Sequence, residues 1–183
     1  DGELKAGDAS YASDYIEVDA GQTYRISPTL SSGNWGAWYD ENKDTFLLKN
    51  VEEFIGFAQL ALTKDFAGKT VKLDADIQLN KVEADTIAAW QSGEKLPENI
   101  WTPVGTYGKT FKGTFDGQGH TISGIYVKGK EYQGLFGYVD KTGVVRNFKL
   151  LDSYIESTGN YVGTIAYLHG NCESIYSNVV INA

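Results

Sequence analysis

The feature that most constrains this chain is an internal repeat in its C-terminal part. Gly134-Leu135-Phe136-Gly137-Tyr138-Val139 is echoed 29 positions later by Gly163-Thr164-Ile165-Ala166-Tyr167-Leu168. The runs that follow, 144–150 and 174–180, align at a spacing of 30. A looser version precedes both, at 111–115 and 119–127. Each unit consists of two or three short apolar runs separated by Gly, Asn or Asp turns, with no helix between them. Strands this short cannot bury their apolar side alone, whereas stacked turns of chain give each strand a parallel neighbour and one continuous core. The expected fold is therefore all-β, a parallel right-handed β-helix (solenoid).

One confident helix stands before the repeats. Asn50 is a favoured N-cap, Glu53 three residues on completes a capping-box pattern, and Glu52 and Glu53 suit the positive end of the helix dipole. Val51, Phe54, Ile55, Ala58 and Leu62 then recur at helical spacing. A helix over 50–63 next to the first strand of a stack is placed to cover its open end, so it is expected to cap the solenoid. From Thr70 the period changes to two, with Val71, Leu73, Ile77 and Leu79 broken at 74–76. Residues 81–99 look like an insertion, weakly helical over 82–91.

The chain has 183 residues and a formal charge of −8, of which −7 falls within 1–57. Residues 1–45 are accordingly expected to form a small acidic β appendage, with strand-like pieces at 15–18 and 23–26 around a turn at 19–22. These are too few to close a β-sandwich. The second unit is expected over 46–183. Acidity excludes the electrostatic footprint that nucleic acid requires, and no apolar run reaches the ~18 residues of a spanning helix. No partner is expected from nucleic acid, and no membrane insertion within this stretch. Cys172 stands alone, which excludes an intrachain disulfide. The absence of Met and the strand-like run at 174–181 suggest a processed chain or a piece of a longer one.

The segments FKGTFDGQGHTISGIYV, GLFGYV…GVVRNFKLLDSYI and YVGTIAYLHGNCESIYSNV resemble the GLUG-motif repeat family of bacterial surface proteins. The preceding VEEFIGFAQLA…FAGKTVKLDADIQL…WTPVG is similar to the cap and first coil of those proteins. The resemblance covers roughly 46–183. It implies a secreted or cell-surface protein of the kind described as adhesins, without an established biochemical activity. Thr164-Ile165-Ala166 departs from the Gly-Leu/Ile-Gly of the motif, which suggests a variant or near-terminal coil.

Candidate chemistry is sparse. Asp116-Gly117-Gln118-Gly119-His120 also occurs in pectin-degrading β-helix enzymes, but its physical meaning is a turn. Gly117 and Gly119 supply backbone freedom, and Asp116 accepts backbone hydrogen bonds. His120 and His169 lie 49 residues apart, without a nucleophile elbow near either. Cys172, close to His169 in sequence, reads as an inert thiol. Asp74 and Asp76 share a strand face without a third acid to complete a calcium site. No metal, no cofactor and no catalytic residue are expected. Trp35, Trp38 and Tyr39 are the candidate ligand-binding residues: flat rings can stack on sugar faces while Asp40 and Glu41 bond hydroxyls. The plainer reading, that these rings pack the N-terminal unit onto the rest, is the favoured one. Tyr126, Tyr138, Tyr154, Tyr161, Tyr167 and Tyr176 recur through the repeats and suggest a stacked column on one face.

The expected function is that of a non-catalytic extracellular or cell-surface bacterial protein, an adhesin or binding scaffold for host or dietary glycans or surface proteins. The alternatives are a polysaccharide-active lyase or hydrolase, and a structural spacer.

Overall fold

The computed structural model describes residues 38–183, together with the strands β1 (Tyr15–Val18) and β2 (Gln22–Arg25). The chain divides into two compact units, Asp1–Gly33 and Asn34–Ala183. In the first, β1 and β2 pair antiparallel, Tyr15 opposite Arg25 and Val18 opposite Gln22.

The second unit opens with β3 (Thr45–Leu48) and the helix α1 (Val51–Ala61). The Asn50 side chain accepts the Glu53 N–H at 2.9 Å, and the Glu53 carboxylate accepts the Lys49 N–H at 2.6 Å, so donors at the helix start are satisfied reciprocally. β4 (Thr70–Leu73), β5 (Ile77–Gln78), the short helix α2 (Thr86–Ser92), β6 (Thr114–Asp116), β7 (Thr121–Ser123) and β8 (Tyr126–Gly129) follow. Then come β9 (Phe136–Val139), the long β10 (Val144–Ser157), β11 (Ile165–Leu168) and the long β12 (Asn171–Asn182).

The expectation of an all-β, parallel right-handed β-helix is overturned by the topology. Among the described residues, strand makes up 40% and helix 12%. Eight strands form one sheet along the path β3-β4-β6-β10-β7-β5, with β8 and β12 also on β10, and β9 pairs with β11 as a separate two-stranded sheet. All pairs of the second unit are parallel. The physical cause is the continuity of β10. Left-handed residues at Asn147 (φ 58°) and Asp152 (φ 46°) bend it without ending it. Its three segments take β6, β7 and β8 as successive partners on one side and β12 on the other, which joins the strands into one sheet.

Register follows connection length. β9 and β11 align with Phe136 opposite Ile165 and Tyr138 opposite Tyr167, the 29-residue spacing of the repeat. The next runs do not keep a spacing of 30: Val144 stands opposite Asn171 and Lys149 opposite Tyr176, 27 apart. The link from β11 to β12 is His169-Gly170, two residues shorter than the 140–143 link from β9 to β10.

The core is aromatic. Phe57 of α1 is fully buried and meets Phe66, Phe111, Phe115 and Phe136, all buried, at ring-centroid distances of 5.2 to 6.5 Å. Phe54 stacks on Trp101 at 4.5 Å. Trp90 of α2 covers Tyr126 and Tyr154, which belong to the interior and not to an outer column. The excursion holding α2 is closed at its neck by Asn80, whose amide donates to the carbonyls of Asn99 and Gly124 at 2.8 Å and accepts the Asn99 N–H.

Candidate functional site

Trp35 lies outside the described residues. Trp38 and Tyr39 are half-buried against the core: Trp38 lies parallel to Phe66 at 6.4 Å and edge-on to Phe46 and Phe57, and Tyr39 stacks on Phe46 at 4.8 Å. The Lys64 ammonium sits 5.4 Å over the Tyr39 ring and also pairs with Glu41. Core rings therefore occupy much of the aromatic surface that a sugar would need.

Asp116, at the end of β6, organises a turn. Its carboxylate accepts the Gln118 N–H at 3.0 Å, the Asn147 amide at 3.1 Å and Arg146 Nε at 3.0 Å. Burial by itself would raise its pKa, but these three donors outweigh burial and hold the carboxyl below its usual range. The Gly117 N–H donates to the Arg146 carbonyl, and a Cβ there would stand 2.4 Å from that of Phe148. Gly119 takes φ 86°. An open groove of about 690 Å³ lies alongside, lined by Asp116, Gln118, Asn147, Lys149 and Tyr176 among others. His120 Nδ1 stands 3.0 Å from Asp76, which also accepts the Thr121 N–H. That backbone bond, then the imidazole, lower the Asp76 pKa. His169 contacts the Tyr167 hydroxyl instead, at 2.9 Å, and Cys172 is exposed. Among the described residues no three His, Cys, Asp or Glu side chains gather to hold a metal ion.

The most distinctive surface is a cluster of tyrosines. The parallel β9–β11 pair sets Tyr138 opposite Tyr167, with rings 4.6 Å apart. Beside them Tyr132 and Tyr161, again 29 residues apart, stack at 4.8 Å with planes 16° from parallel. Both carry the left-handed backbone, φ 57° and 65°. Bulky side chains avoid this region, and such outliers gather where function demands a particular side-chain direction. Tyr107 extends the row, its ring 6.2 Å from Tyr132. It sits in a turn whose ends, Thr106 and Lys109, exchange backbone bonds at 2.8 and 3.2 Å, and it is 76% exposed. Tyr138, Tyr161 and Tyr167 are among the recurring tyrosines visible in the sequence. Tyr107 and Tyr132 belong to the same face but were not singled out there, although Tyr132 stands one repeat before Tyr161. Tyr176 lies apart, on the Asp116 groove.

Partial removal from water raises the pKa of Tyr132 and Tyr138, and their neighbouring phenols add to the effect. Both hydroxyls stay protonated across the physiological range and can donate as well as accept. The face thus offers flat apolar rings and neutral polar tips.

No family model matches the chain. Over 83 residues it is 32% identical to a protein of Evansella cellulosilytica that carries the provisional name Gly-rich membrane protein; this covers 44% of the chain and 10% of that protein. Over 60 residues it is 40% identical to a protein named halomucin from Haloquadratum walsbyi, covering 32% of the chain and 1% of that protein. The chain therefore spans a tenth or less of the length of these relatives. No solved structure matches. No helix among the described residues is long and apolar enough to cross a membrane.

Proposed function

We propose that this chain is a non-catalytic carbohydrate-binding module of a membrane- or surface-associated protein, displayed outside the cell. The tyrosine face carries the reading. Five rings, each within 6.3 Å of at least two of the others and two of them held on an unfavourable backbone, are an expensive way to decorate a surface unless the rings are used. The outer faces and edges of these phenols can meet the C–H faces of sugars, and their hydroxyls sugar hydroxyls. Support for the location comes from the relatives, one named a membrane protein and one halomucin. Support for binding without catalysis comes from Asp116, whose carboxylate is already occupied by three donors and is not poised as an acid or base.

A broad glycan array followed by titration calorimetry tests this reading. Binding to at least one polysaccharide is expected, weakened tenfold or more by Tyr132→Ala with Tyr161→Ala. A blank array, or release of reducing sugar from any bound polymer, would overturn it.

A further inference from the structure

Resting on the carbohydrate reading, we infer that the tyrosine face grips the interior of an extended polysaccharide chain and not a terminal sugar. Recognition of a chain end needs a concave site that encloses one unit and has groups to read its last hydroxyls. The tyrosine face is a row of rings whose outer members, Tyr107 and Tyr161, are exposed. Tyr107, Tyr132 and Tyr161 succeed one another at ring distances of 6.2 and 4.8 Å, with Tyr138 and Tyr167 as a second row beside them. Tyr132 and Tyr161 are neighbours because the segments that follow them pair parallel, Gln133 opposite Val162, and the Gln133 N–H donates to the Tyr161 carbonyl. At the ends of the row Tyr107 is 76% and Tyr161 44% exposed. The groove beside Asp116 includes none of these five tyrosines. A ligand laid along such a row meets further rings as it lengthens, and the outer rings stay accessible to it.

The inference makes affinity a function of chain length and indifferent to chain ends. Xylan, mannan, mixed-linkage β-glucan and hyaluronan serve as polymers, each with its mono- to hexasaccharides and with a borohydride-reduced form that alters the end unit alone. For whichever polymer binds, affinity should rise at least tenfold from disaccharide to the longer oligosaccharides and then level off. The reduced polymer should bind as tightly as the native one, and Tyr107→Ala should shorten the length at which affinity levels off. Equal inhibition by monosaccharide and hexasaccharide, or loss of binding on end reduction, would overturn the inference while leaving carbohydrate binding in place. Failure of every polymer and oligosaccharide would remove both.

Discussion

Tyr132 and Tyr161 share an unfavourable left-handed backbone and stack ring on ring at 4.8 Å, although glycine would fit either position without strain. The Tyr132 N–H donates to the Asn160 carbonyl and the Gln133 N–H to that of Tyr161, so the two turns are tied by backbone bonds that do not need the rings. A residue kept where a smaller one would be more comfortable points to a use for its side chain.

That relationship separates stability from binding. Replacing Tyr132 and Tyr161 together by Gly relieves the backbone while deleting the central rings. The melting temperature should move by no more than about 4 °C, the scale of a small change in folding energy for a domain this size. Affinity for the bound polysaccharide should fall tenfold or more. A large drop in melting temperature, seen by calorimetry, would mark the pair as structural.

Gly124 should tolerate no such exchange. It takes φ 68°, and a Cβ there would stand 2.1 Å from the Asn80 carbonyl oxygen. Gly124→Ala must displace the Asn80 clasp and lose the amide bond to the Gly124 carbonyl. A destabilisation of roughly 1–3 kcal/mol is expected, from backbone strain and from orphaned polar groups. Urea unfolding measures it, and a value near zero would show that the clasp moves freely.

What the sequence made legible was local or periodic. The helix start at Asn50 could be read because capping is settled by residues three or four apart. The β9–β11 register could be read because Gly134–Val139 and Gly163–Leu168 repeat without insertion. Topology could not. Whether β10 ends at each turn or runs through depends on left-handed φ at Asn147 and Asp152, residues that the pattern reads as ordinary turn formers. The shift from 29 at β9–β11 to 27 at β10–β12 comes from a link two residues shorter, which an alignment of similar strands hides. Recurrence brought out Tyr138, Tyr161 and Tyr167. It also gathered the interior Tyr126 and Tyr154, because period alone does not say which side of a sheet a helix such as α2 will cover.

Asp116 gives the fold a sensitivity to acid. Its pKa is lowered in the folded chain, so its contribution is fully present above the ordinary carboxylate range and is lost as pH falls through the lowered native value. Asp116→Asn should cost about 1–3 kcal/mol at pH 7, where Arg146 and the Gln118 N–H lose a charged acceptor. The gap to the parent chain should narrow steadily below about pH 4. Guanidinium unfolding at several pH values follows it, and a gap that stays constant to pH 2 would show that the carboxylate is not what the turn depends on.

Trp38 and Phe57 belong to one aromatic cluster but differ in burial. Phe57 is fully buried among Phe66, Phe111, Phe115 and Phe136, and truncating it should cost about 3–5 kcal/mol through lost contacts and an unfilled cavity. Trp38 lies at the edge of the same cluster, half-buried, in contact with Phe46, Phe57 and Phe66. Trp38→Ala should therefore destabilise the fold by less than Phe57→Ala, since part of the indole already faces water. Its effect on carbohydrate affinity decides between the two roles open to that ring. If Trp38 is packing alone, the folded variant binds polysaccharide as the parent does, in contrast to the tyrosine variants. A tenfold loss in Trp38→Ala at full folding, measured by calorimetry below the melting transition, would place a second sugar-binding surface at the α1 end of the core.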